Sequence, residues 1–277
     1  MVFTNSNHNL ELFLSQLALQ PAILVQIHST QGSVPREAGT WMGVFKDVIV
    51  GTIGGGHLEY QAIAKARDFL QIGANEALEE SIRYALGPSL GQCCGGVVYV
   101  RFKRVFAENI PALTTRLCPS LWPVALFGGG HVGHALVQVL SNLPFALSWI
   151  DSREDVFPAS VPANVVCEVS YPVQLAVRQL PAQSRVLIMS FSHAEDFDVL
   201  VSCLERQRES FDLPYIGLIG SQTKWASFRS RLEVRGFKPN ELAHVTSPIG
   251  VPGITGKEPE MLAIAVAAQL LMTCNSL

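Results

Sequence analysis

The chain has 277 residues, enough for one large or two ordinary domains with buried cores. Hydrophobic residues make up 48% and charged residues 16%, and the formal net charge of −3 argues against a nucleic-acid partner. Residues 1–9 lack the basic and apolar parts of a signal peptide, and the apolar run at 261–272 is too short to span a bilayer, so a cytoplasmic protein with no membrane partner is expected.

Residues 8–20 have the pattern of an amphipathic helix stopped by Pro21. Strands are predicted at 22–28, 40–45 and 48–52, helices at 58–71 and 76–86, and a strand at 97–105. This mixture without a strand–helix rhythm predicts an N-terminal α+β domain over 1–106. Residues 107–123 carry Pro111, Pro119 and Pro123 and are the expected linker. From 124 to 277 the rhythm is regular. Strands at 124–128, 145–150, 164–169, 185–191 and 215–219 alternate with helices at 131–141, 194–209, 222–235 and 258–273, as a Rossmann-like α/β domain with a parallel sheet requires.

Gly128, Gly130 and Gly133 form a G-x-G-x-x-G between a strand and a helix, and Asp151 follows the next strand about 20 residues later, as in dinucleotide-binding units. Such a turn aims helix-terminal amides at an anion, phosphate above all. Asp151 is either a ribose acceptor or a cap on the turn it makes with Ser152 and Arg153. His193 follows another strand at the sheet edge where ligands bind in such folds, and Asp196 either joins it or stabilises the first helical turn. Gly220 and Ser221 either hold a second phosphate or form an ordinary helix cap. The Pro- and Gly-rich stretch 247–260 has the length of a binding wall or lid.

The first domain carries three further glycine turns: Gly32-Ser33-Val34-Pro35-Arg36, Gly51-Thr52-Ile53-Gly54-Gly55-Gly56-His57-Leu58-Glu59, and Gly91-Gln92-Cys93-Cys94-Gly95-Gly96. Gly54, Gly55 and Gly56 allow close ligand approach and leave amides for an anion, and Arg36 adds a planar positive fork. The six cysteines show no C-x-x-C spacing, and adjacent Cys93 and Cys94 do not make a structural zinc site. A thiol in a glycine nest is a soft metal ligand or a nucleophile, and a buried cysteine pair is the alternative.

Taken together and in order, these motifs resemble the XdhC family, the xanthine dehydrogenase accessory proteins. Its N-terminal part is matched by Gly32-Ser33-x-Pro35-Arg36, the Gly51–Glu59 run and Leu90-Gly91-Gln92-Cys93-Cys94-Gly95-Gly96. Its Rossmann part is matched by the Gly128–Gly133 turn, Ser192-His193, the run from Tyr215 to Ser221, and Pro248-Ile249-Gly250. The resemblance implies a chaperone that binds molybdenum cofactor, supports its sulfuration by a cysteine desulfurase, and delivers it to apo xanthine dehydrogenase. It implies that Cys93 or Cys94 is the cofactor-binding thiol and metal ligand, and that the chain turns over no small molecule itself. NAD(P) is not expected to come with the fold. A homodimer is expected from the apolar C-terminal helix. The alternatives are an NAD(P)-dependent oxidoreductase, which lacks a visible proton-relay pair, and a thiol-dependent transferase.

Overall fold

A computed structural model describes residues 6–72, 77–86, 95–118 and 120–274. The chain divides into two compact units, Met1–Pro119 and Ser120–Leu277.

The first unit runs α1 (Ser6–Leu17), β1 (Ala22–Gln31), β2 (Trp41–Val44), β3 (Ile49–Gly51), α2 (Gly56–Gln71), β4 (Glu79–Ala85), β5 (Val97–Val105) and α3 (Ile110–Leu117). Its strands form one antiparallel sheet in the order β3-β2-β1-β5-β4. Leu58, Ala62, Ala66 and Phe69 recur at helical spacing on α2 and pack on Ile23, Val25, Val44, Val100 and Phe102 of one sheet face. On the other face, Phe13 and Leu17 of α1 join Leu24, Val105, Leu113 and Leu117.

Two expectations are corrected here. Residues 76–86 do not form a helix: 79–85 are β4, paired along their length with β5 from Glu79↔Lys103 to Ala85↔Val97. Half-buried Ile82 and Tyr84 alternate with exposed Ser81, Arg83 and Ala85, a period of two that a neighbouring strand turns into a ladder. Residues 107–123 are not an irregular linker either. They hold a 3-10 turn (Ala107–Asn109), α3 and the start of the next strand. Pro111 sits in the first turn of α3, where its missing N–H costs no hydrogen bond, so proline marked a helix start.

The second unit runs β6 (Trp122–Phe127), α4 (His131–Leu140), β7 (Phe145–Asp151), β8 (Val165–Val169), β9 (Arg185–Ile188), α5 (His193–Ser210), β10 (Tyr215–Leu218), α6 (Gln222–Val234), α7 (Pro239–Leu242), β11 (Val245–Thr246) and α8 (Pro259–Met272). Its parallel sheet has the order β11-β10-β9-β6-β7-β8, the Rossmann arrangement. Leu126, Leu187 and Trp149 face α4 and α8, whereas Phe127, Ile188 and Leu218 face α5 and α6. Consecutive strand residues are therefore both buried, which is why the strands appear as unbroken apolar runs. The order reverses between β6 and β9, and the crevice beyond the carboxyl ends of those two strands is where such sheets bind ligands. No helix among the described residues is long and apolar enough to cross a membrane.

Candidate functional site

In the second unit, β6 ends at Phe127 and the glycine turn carries the chain into α4. Each glycine has a different reason to be there. Gly128 has φ +130, and a Cβ on it would meet the Met189 carbonyl carbon of the neighbouring strand end at 2.7 Å. A Cβ on Gly133 would collide with the Gly128 carbonyl oxygen, which also accepts the Trp149 indole N–H at 2.9 Å. These two glycines serve helix–strand packing. Gly130 does not: its backbone is extended, and a Cβ there would meet nothing within 4 Å. It is the N-cap of α4 without any side-chain cap, and the first turn of α4 carries no acidic residue. This helix start is uncapped and open to an incoming anion.

Asp151 takes the turn-capping alternative. Its carboxylate is 2% exposed and accepts from the Gly129 amide at 2.6 Å and the Arg153 amide at 3.0 Å. The Arg153 guanidinium adds two more bonds, at 2.9 and 3.0 Å. Four donors fill the lone pairs of a carboxylate and leave none for a ribose hydroxyl. Burial pushes the Asp151 carboxyl up, but the hydrogen bonds from Arg153 and from the Gly129 and Arg153 amides outweigh it, so it is held below the usual carboxylate range.

Across the order reversal, Ser192 caps α5 by accepting from the Glu195 amide at 3.2 Å. His193 is exposed at the first position of α5, edge-on to Phe228 at 6.4 Å between ring centroids, and free to meet a ligand at the sheet edge. Asp196 is instead structural: 2% exposed, it accepts from the Ser190 amide at 2.6 Å and pairs with the Lys224 ammonium at 2.5 Å. Lys224 also donates to the Ile219 carbonyl at 2.8 Å, which ties the ends of β9 and β10 together. Ser221 takes its alternative as the cap of α6, accepting from the Lys224 amide, and a Cβ on Gly220 would strike the Lys224 side chain at 2.5 Å. Neither presents a second phosphate cradle. The Lys224 link was missed, because a lysine four residues after a glycine carries no periodic signal.

In the first unit the glycine turns converge. A Cβ on Gly96 would meet the Gln31 carbonyl oxygen at 2.7 Å and Val34 at 2.9 Å, so the Gly95-Gly96 end of the cysteine motif lies against the Gly32–Arg36 turn. A Cβ on Gly54 would meet the Arg36 side chain at 2.9 Å, which brings the third turn to the same place. Gly55 and Gly95 face open space, with nothing within 4 Å of a Cβ on either. Cys93 and Cys94 lie outside the described residues.

Two amides of the Gly54–Gly56 turn are taken up within the turn itself, while the start of α2 at Gly56 has no side-chain cap. Glu59, 6% exposed on α2, folds back and accepts from the Ile53 amide at 2.9 Å, the Gly55 amide at 3.1 Å and the Thr52 hydroxyl. The Gly54 amide goes to the Thr52 hydroxyl at 3.1 Å. A carboxylate already sits at the start of α2, where the helix dipole favours it. Glu59 and Thr52 were missed as organisers because their spacing is not that of a capping box. No cluster of three or more metal-ligating side chains is found among the described residues.

Residues 124–270 match the family model described as the XdhC Rossmann domain, and residues 16–82 match the one described as the XdhC and CoxI family. A protein of Escherichia coli K12 described as uncharacterized protein YqeB is 25% identical over 257 residues, which are 92% of this chain and 44% of that protein. The chain thus spans less than half the length of that relative. A crystal structure described as a xanthine dehydrogenase from Bacillus halodurans shares the fold with a TM-score of 0.77 and 22% identity, over 97% of this chain and 96% of that one.

Proposed function

We propose that this chain, which belongs to the XdhC family, is a molybdenum cofactor chaperone that serves the maturation of xanthine dehydrogenase. In this reading it binds the cofactor as cargo, holds it while a cysteine desulfurase supplies the terminal sulfur, and gives it up to the apoenzyme. The chain carries the cofactor and turns over nothing itself.

The observation that carries the reading is the convergence of the first unit's glycine turns. Arg36 against Gly54, and Gly96 against the Gly32 turn, bring the Arg36 side chain and two unobstructed glycines, Gly55 and Gly95, onto the turns that meet at the root of the cysteine motif. A thiolate from Cys93 or Cys94 suits a soft metal centre, and a guanidinium suits an anionic group. In the second unit, the uncapped start of α4 at Gly130 is the element fitted to a phosphate, with exposed His193 at the same sheet edge. The filled carboxylate of Asp151 favours this over a dinucleotide ribose.

The reading extends to a homodimer. α8 buries Ala263, Val266, Ala267 and Leu270 in its own unit but leaves Met261 44%, Ile264 56% and Met272 70% exposed, an apolar stripe that a second copy would cover.

The test is molybdenum analysis with pterin fluorescence on protein purified from a cofactor-competent host. Wild type should carry both, and Cys93→Ser/Cys94→Ser should lose most of the molybdenum while keeping its circular dichroism. Unchanged occupancy in the folded double variant would remove the thiol from the reading.

A further inference from the structure

Phe211 is an apolar side chain out of place on two counts. It caps the end of α5 in the left-handed region, at φ +53 and ψ +33, where glycine or asparagine is at ease and a bulky residue is strained. Its ring is also 78% exposed, so packing within the chain does not offset that strain. The other non-glycine residue with positive φ among those described, Gln183, is polar and sits in a solvent-exposed turn. Phe211 is thus the one described apolar side chain held left-handed in solvent.

Phe211 forms part of the wall of a cavity of about 600 Å³, a volume in the range of small-molecule pockets. The cavity lies where the chain leaves α5 and α7 to enter β10 and β11, at the amino edge of the parallel sheet. The 18 residues of α5, about 27 Å of helix, separate it from His193 and the crevice at the carboxyl edge. Its polar wall is fixed in place. The Leu213 amide donates to Gln207 Oε1 at 2.8 Å, and the Leu213 carbonyl accepts from His244 Nε2 at 2.6 Å. Gln207 therefore keeps its NH2 group as a donor. Glu241, also in the wall, has its charge matched by the two-bonded guanidinium of Arg208. Lys238 uses its backbone amide on Glu241 at 2.7 Å, but its ammonium makes no hydrogen bond or ion pair among the described residues. The wall thus joins an exposed aromatic ring, an uncompensated positive charge and an amide donor. A ring laid on Phe211 gains contact beyond simple burial, and the ammonium and amide suit an acidic group.

We propose that this cavity binds a small planar aromatic anion, its ring stacked on Phe211 and its acidic group held by Lys238 and the Gln207 amide. The proposal does not depend on the identity of the cofactor. It is tested by ligand-observed NMR titration of the full-length protein with 2-naphthoate, beside neutral 2-naphthamide and non-planar cyclohexanecarboxylate. Saturable naphthoate binding is expected, weakened about tenfold in Lys238→Gln and about fivefold in Phe211→Gly. Both comparison compounds should bind several-fold more weakly than naphthoate. Phe211→Gly also relieves the left-handed strain, so it should melt at or above the wild-type temperature while binding less. A purely structural role for the ring would not give that combination. Tyr171→Ala removes another exposed ring, one outside the cavity wall, and should bind as wild type does. Absence of saturable binding, undiminished binding in Lys238→Gln or Phe211→Gly, or equal loss in Tyr171→Ala would each overturn the proposal. So would a lowered melting temperature in Phe211→Gly, or binding of naphthamide or cyclohexanecarboxylate as tight as that of naphthoate.

Discussion

The two strand-to-helix glycine turns, Thr52 to Gly56 in the first unit and Gly128 to Gly133 in the second, share a sequence grammar but differ in where their amides point. In the first, Glu59 reaches back from its own helix and takes the Ile53 and Gly55 amides inward. In the second, the carboxylate comes from the next strand, takes the Gly129 amide, and is neutralised by Arg153. The start of α4 is left without a side-chain cap. A run of glycines is thus not in itself an anion site. Both helices start without a side-chain cap, and the two turns differ in the origin of the carboxylate that takes the amides just before the helix.

Substitutions sharpen this contrast. The largest effect is expected for Gly133→Ala, whose methyl group would collide with the Gly128 carbonyl oxygen. The second unit should lose about 3 kcal/mol in a denaturant titration or fail to fold. Glu59→Ala comes next. It strands the Ile53 and Gly55 amides and should cost the first unit about 2–3 kcal/mol, whereas a loss near zero would mean that the turn does not depend on its carboxylate.

A smaller, pH-dependent effect belongs to Asp151. Its carboxyl is held below the unfolded value of about 3.9, so its stabilisation is complete above that pH and is lost as pH falls through the lower, folded value. Asp151→Asn should therefore be less stable than wild type at pH 7 and show a flatter acid limb in melts taken down through pH 3. Parallel limbs would contradict the pairing. The smallest effect on stability is expected for Gly130→Val. The side chain enters open space and should change stability by no more than about 0.5 kcal/mol, yet it obstructs the α4 start and should weaken cofactor retention.

The same contrast explains what the sequence made legible. The second unit's strands are buried on both faces and stand out as apolar runs between turn residues, so the pattern from 124 onward gave elements within a few residues of those observed. β4 was misassigned because it is an edge strand with mostly exposed residues, whose pairing with β5 is a long-range fact. Within the site, the glycine positions were visible, but their partners were not. Arg153, two residues from Asp151, was legible as part of the same turn, whereas Lys224, 28 residues from Asp196, acts through side-chain geometry that no local spacing encodes. Glu59 was visible in its motif, and only its inward fold was hidden.

The central claim is that the chain carries molybdenum cofactor to another enzyme. The most direct test incubates cofactor-loaded protein with apo xanthine dehydrogenase in air and follows hydroxylase activity together with molybdenum lost from the donor. Activity should rise in step with that loss and should be absent when the same concentration of free cofactor is supplied. Equal activation by free cofactor, or activation without movement of molybdenum, would contradict the account.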